Sequence, residues 1–126
     1  MRLHHVQVAC PRGGEDVARR FYAEGLGLTE VDKPADLAGR GGAWFRAHDA
    51  DGEVTLELHV GVEEPFTPAR KAHPAVLLDD VAHLESVGRR LEAMGYRVSW
   101  AERHTFPGHE RLHAFDGHGN RVELLA

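Results

Sequence analysis

Four short apolar segments of this chain each carry a residue able to bind a metal ion, and the four fall into two matching pairs. LHHVQVA carries His5 and VTLELHV carries Glu57 and His59, while AHPAVLL carries His73 and NRVELLA carries Glu123. Imidazole and carboxylate are ligands for Zn, Ni, Mn or Fe(II), and two of each leave coordination positions for water or substrate. Ca and Mg favour all-oxygen sites and suit this set less well. No HExxH pair occurs, and a single cysteine, Cys10, excludes a thiolate cluster, a CxxC motif and an intrachain disulfide. Cys10 ends an apolar run and reads as a buried thiol.

Side chains alternate along a strand, so Glu57 and His59 share one face, opposite Leu56, Leu58 and Val60. By the same rule Glu123 shares a face with Arg121 and Leu125. A carboxylate on a concave sheet face needs a partner or a bound cation, whereas on a wet face it needs nothing. The equivalent placement in two halves favours the site: His5 and Glu57, like His73 and Glu123, stand roughly 50 residues apart, as an internal duplication would leave them. His4 alternates to the face opposite His5 and reads as a surface or packing residue.

The elements that must position these groups also repeat. Residues 3–9 read as a strand. Helical spacing of Val17, Ala18, Phe21 and Tyr22 predicts a helix over about 15–25, stopped by Gly25 and Gly27. Short strands follow at 28–31, 43–47 and 54–60, with one helical turn expected at 34–38. The Pro-containing segment 63–69 is a linker. Beyond it the order recurs: strand 74–78, helix 81–94 with Val81, Leu84, Val87, Leu91 and Met94 on one stripe, and strands 97–100, 111–115 and 121–125. The expected fold is α+β, with a first βαβββ module at 1–62 and a second at 70–126 in one structural domain. A single ferredoxin-like sandwich is the competing arrangement.

Composition bounds the function. With 126 residues, 42% hydrophobic and 28% charged, the chain fits one globular unit, and a net charge of −5 argues against holding nucleic acid. No run approaches 18 apolar residues and no signal-peptide core follows Arg2, so a cytoplasmic protein is expected, without membrane contact. His48, His109 and His118 sit among glycines and acids and read as solvent-facing. Trp44, Trp100 and Phe115 are candidate walls for a ligand. Arg111 and Arg121 could pair with a substrate carboxylate or phosphonate, arginine being shaped for bidentate contact.

The whole chain resembles the vicinal oxygen chelate superfamily, the glyoxalase, bleomycin-resistance and dioxygenase fold. HHV at 4–6, ARRFYAEGLGL at 18–28, VTLELHV at 54–60, HPAVLLDDV at 73–81 and FDGHGNRVELL at 115–125 carry the likeness, the last with Gly117 where proline is usual. The resemblance implies paired βαβββ modules forming an open-barrel cleft. It implies metal ligands at His5, Glu57, His73 and Glu123, with His59 the rival of Glu57; VTLELHV looks closest to the glyoxalase I form, in which the glutamate binds. It further implies a homodimer, whose cleft is built within one chain or across two.

The expected function is a glyoxalase-like, divalent-metal-dependent lyase or isomerase. Its substrate would be a small metabolite with vicinal oxygens, and Glu57 or Glu123 would move the proton. The alternatives are a non-catalytic protein that binds or sequesters a small molecule such as an antibiotic, and an Fe(II) extradiol dioxygenase.

Overall fold

A computed structural model describes residues 1–126. The first half runs β1 (Val6–Cys10), α1 (Glu15–Arg19), a π-helical segment (Arg20–Gly25), β2 (Thr29–Val31), α2 (Ala35–Ala38), β3 (Ala43–His48) and β4 (Val54–Val62). The second runs β5 (Ala75–Leu77), α3 (Val81–Ala93), β6 (Val98–Ser99), β7 (Arg111–Phe115) and β8 (Arg121–Leu125). Two four-stranded sheets result, ordered β1-β4-β3-β2 and β5-β8-β7-β6. The orders are identical under exchange of the halves. In each the first and last strands pair in parallel and the other pairs are antiparallel. The fold is α+β with no closed barrel, and no helix is long and apolar enough to cross a membrane.

Strand alternation gives each sheet one apolar face. Val8, Cys10, Ala43, Phe45, Leu58 and Val60 fill that of the first sheet, and Leu112, Ala114, Val122 and Leu124 that of the second; all are buried. The helices cover these faces with Ala18, Phe21, Tyr22, Leu84, Val87 and Leu91, so a single cluster of 17 residues spans both halves. Asp80 caps α3 by accepting from the backbone N–H of His83 at 2.7 Å.

The helix expected over 15–25 keeps α geometry only to Arg19 and then widens, the N–H of Leu26 reaching the carbonyl of Phe21. Two adjacent aromatics lie in that wide turn, both wholly buried. Phe21 meets Tyr96 edge-on and Tyr22 packs near Phe45. Gly25 lets this segment touch α3: a Cβ there would stand 2.7 Å from Cδ2 of Leu91. The edge strands at 75–77 and 98–99 are shorter than the apolar runs suggested, because Pro74 has no N–H to donate and Trp100 leads into a turn.

The halves are locked together at the β7–β8 turn. Asn120, fully buried, donates from Nδ2 to the carbonyl of Ala9 in β1 (2.7 Å) and to Oδ2 of Asp116 (2.9 Å), and its Oδ1 accepts from the N–H of Ala69 in the linker (3.0 Å). Tyr22 donates to the same Asp116 oxygen at 2.9 Å. Burial, reinforced by Asp116, holds the Tyr22 phenol well above its ordinary pKa, so it stays a donor. His118, expected to face solvent, is half-buried and donates to the carbonyl of Gly14 at 2.8 Å, a further clasp between the halves.

Truncating Asn120 removes a partner from the half-buried Ala9 carbonyl, the half-buried Ala69 N–H and the buried Asp116 carboxylate. Asn120→Ala is expected to cost about 2–3 kcal/mol in urea unfolding. A loss below about 0.5 kcal/mol would show that this network does not hold the halves together.

Candidate functional site

The faces of the two sheets turned away from the helices carry the polar groups. On the first, Glu57 and His59 of β4 stand opposite Arg46 and Trp44 of β3 in register. The His59 ring lies between Trp44, parallel at 3.9 Å, and His5, stacked at 4.2 Å. His5 itself precedes β1 rather than lying in it. Nε2 of His59 is 2.8 Å from Oε1 of Glu57, and Arg46 Nε donates to Oε2 at 2.8 Å. The His59 bond, followed by that of Arg46, holds the Glu57 carboxyl below its ordinary pKa against the opposing effect of burial. Burial lowers the pKa of His59 despite Glu57. A neutral ring donating from Nε2 leaves the lone pair of His59 on Nδ1.

On the second sheet Glu123 stands opposite His113 in register. Its Oε1 accepts from Arg111 at 2.8 Å, and its Oε2 is 3.1 Å from Nε2 of His73. His73 Nδ1 is held at 2.7 Å from the carbonyl of Lys71 and donates to it. The remaining ring nitrogen therefore faces the carboxylate, and a cation, either a proton or a metal ion, is needed between two such acceptors. A backbone carbonyl on the far nitrogen is the usual way an imidazole is oriented towards a metal. His113 Nε2 lies 3.6 Å from Oε1 of Glu123 and accepts from Arg121 at 2.6 Å. Burial first, then the Arg121 charge, lowers the His113 pKa and keeps the ring neutral. Burial alone would raise the Glu123 pKa, but Arg111 and His73 outweigh it and lower the value.

One atom each of His73, His113 and Glu123 lie within 4.8 Å of one another. In a tetrahedral site with bonds of ~2.1 Å the ligand atoms stand about 3.4 Å apart, so small side-chain shifts would close this set on an ion. Two imidazoles and a carboxylate fit Zn, Ni, Mn or Fe(II).

The sequence-derived ligands are thus brought together in two sets. His73 and Glu123 meet on the second sheet, and His5, Glu57 and His59 on the first, where they form no metal-sized group with the others. His113 joins the second set unforeseen; only the β7–β8 register, Leu112↔Leu124 and His113↔Glu123, brings it there. Of the expected ligand walls, Trp44 and Phe115 lie on the polar faces. Trp100 does not. It packs on α3 beneath Gly88, where a Cβ would come within 2.5 Å of its Cζ2, because Ser99 and not Trp100 pairs with His113. Arg111 is engaged by Glu123, Glu102 and Thr105, and Arg121 by His113.

The fold is thus a duplicated βαβββ unit with histidine and glutamate on the polar face of each sheet. The family model for the Glyoxalase/Bleomycin resistance protein/Dioxygenase superfamily matches residues 2–124, and the chain belongs to that superfamily. A crystal structure of a protein assigned to the glyoxalase family from Bacillus anthracis is 36% identical, with 99% of this chain and 98% of that one covered and a TM-score of 0.82. The fosfomycin resistance protein FosX from Listeria monocytogenes is 13% identical (100% and 93% covered, TM-score 0.74). Lactoylglutathione lyase from Agrobacterium tumefaciens is 20% identical (98% and 93% covered, TM-score 0.65). These last two share the fold. No curated protein matches.

The lowered values fix the sign of the pH dependence. A neutral buried histidine contributes stability above its unfolded pKa that is lost as pH falls towards the folded value; Glu57 and Glu123 behave likewise at lower pH. The urea midpoint of the metal-free protein should therefore fall as pH drops below about 6.5, and again below about 4.5, the ordinary values for these groups. A midpoint that is flat or rises from pH 7 to pH 4 would contradict the assignment of His59 and His113 as neutral.

Proposed function

We propose that this protein is a glyoxalase-like, divalent-metal-dependent enzyme that moves a proton between adjacent carbons of a small metabolite bearing vicinal oxygens. The observation that carries the reading is His73: its Nδ1 is tied to the Lys71 carbonyl and its Nε2 is aimed at Glu123 across 3.1 Å. A bound Zn, Ni, Mn or Fe(II) ion would supply Lewis acidity towards the substrate oxygens. His73 and Glu123 would hold it, with His113 once Arg121 releases that ring.

The chain's own residues supply the remaining functions. Glu57, kept ionised by His59 and Arg46 and free of the metal-capable set, would take up and return the proton in this reading, with His59 steadying it. Trp44 offers a flat apolar wall beside it. Each sheet packs its apolar face on the helices and turns its polar face away from them. In this reading a homodimer therefore sets the His5, Glu57 and His59 face of one copy over the His73, His113 and Glu123 face of the other.

Elemental analysis of protein purified without chelator or nickel resin should find about one ion per chain, lost in His73→Ala and Glu123→Gln. Turnover of the hemithioacetal of methylglyoxal and a thiol should stop with EDTA and fall at least ~100-fold in Glu57→Gln. Equal metal content in wild type and both ligand variants would refute the site. Tight binding of an aromatic ligand that quenches tryptophan fluorescence regardless of EDTA, with no product, would replace the enzyme by a sequestering protein.

A further inference from the structure

Beside the metal-capable residues the second sheet carries a row of a different kind. Phe115 stands opposite Arg121 in register, and on its other side the N–H of Phe115 bonds the carbonyl of Arg97, just ahead of β6. Arg97, Phe115 and Arg121 thus form the row next to Ser99, His113 and Glu123 on the same face. A cavity of about 320 Å³ opens at this end, between the linker and the β7–β8 turn, lined by Pro68, Arg70, Arg97, Phe115, His118 and Gly119.

The charges here are one-sided. The chain has 20 acidic and 15 basic residues, yet no carboxylate lines this cavity. Arg12, Arg19, Arg46, Arg89, Arg103 and Arg111 all pair with acids elsewhere. Arg70, Arg97 and Arg121 pair with none. Arg97 lies over the Phe115 ring at 3.4 Å, which fixes its plane while leaving its N–H edge free for a bidentate acceptor. The buried Nε of Arg121 has no hydrogen-bond partner at all. Stacking on Phe115 holds the Arg97 guanidinium ready for an acceptor, and the orphaned Nε of Arg121, on the neighbouring strand, is a further donor whose hydrogen-bonding capacity is unmet.

We infer that this cavity is an oxyanion-binding pocket, with Arg97 and Arg70 gripping a carboxylate or phosphate group and Arg121 linking the pocket to His113. The volume exceeds that of one oxyanion, and Pro68 and Phe115 add apolar wall, so the ligand is an anionic group on a short carbon skeleton. That this anion is the acidic end of the substrate rests on the proposed function. The pocket itself does not.

Titration calorimetry with inorganic phosphate and with succinate, in EDTA-treated protein at low salt, tests the pocket without any metal. At least one of the two should saturate at about one per chain, weaken at least tenfold in Arg97→Gln, weaken less in Arg97→Lys, and remain unchanged in Arg89→Gln on the outer side of α3. Circular dichroism confirms that each variant is folded. Failure of both probes to saturate, or equal affinities in Arg97→Gln and Arg89→Gln, would overturn the inference. Loss of metal and turnover with anion binding intact would sink the proposed function alone, and the converse would sink the pocket alone.

Discussion

Asn120 is the residue through which the two halves of this protein define one another. Its amide reaches β1, the linker and Asp116 at once, and Asp116 in turn holds Tyr22 and two N–H groups of its own turn. A buried amide satisfied on three segments tolerates little relative motion, because each lost bond strands a partner away from water. Glu123 follows three residues later on the strand that this turn launches. The position of the acidic group at the candidate site is therefore fixed by a polar contact with the opposite half.

That constraint leaves the polar sheet faces free to carry chemistry. The apolar faces are consumed by one shared core, so the site residues lie outside it even though Glu57, His59, His113 and Glu123 are themselves buried. Each would-be ligand carboxylate is ion-paired to an arginine on the neighbouring strand, Glu57 to Arg46 and Glu123 to Arg111, and the His59 bond is the larger influence holding Glu57 ionised. The two faces differ in their imidazoles. His59 is clamped between rings and hydrogen-bonded to its glutamate, whereas His73 is anchored from behind and turned towards its own. The first arrangement holds a carboxylate ionised beside a stacked ring, and the second turns a ring nitrogen towards a carboxylate.

Much of this was legible in the sequence because it depends on period and order. Alternation put Glu57 with His59 and set Leu58 and Val60 against the core, and the repeat of strand, helix and strands announced two sheets of equal topology. The functional face of His113 was not legible. RLHAF reads as a plain strand, and only the pairing set by the Asp116–Asn120 turn places His113 against Glu123. Trp100 misled for the same reason: a two-residue edge strand fixes which face it takes, and that register is invisible to composition. His118 looked like a solvated turn histidine, and its bond to the Gly14 carbonyl, 104 residues away, has no local signal. Long-range polar contacts and strand register are what a single sequence conceals.

The central claim is that His73 and Glu123 are arranged for a cation other than the arginine that now neutralises the carboxylate. Anomalous diffraction from crystals grown with zinc or nickel tests it most directly. The account predicts one ion within about 2.0–2.3 Å of Nε2 of His73 and an oxygen of Glu123, with Arg111 displaced from that carboxylate. Crystals at saturating metal that keep the Arg111–Glu123 and His73–Glu123 contacts intact, with no anomalous peak beside them, would contradict it.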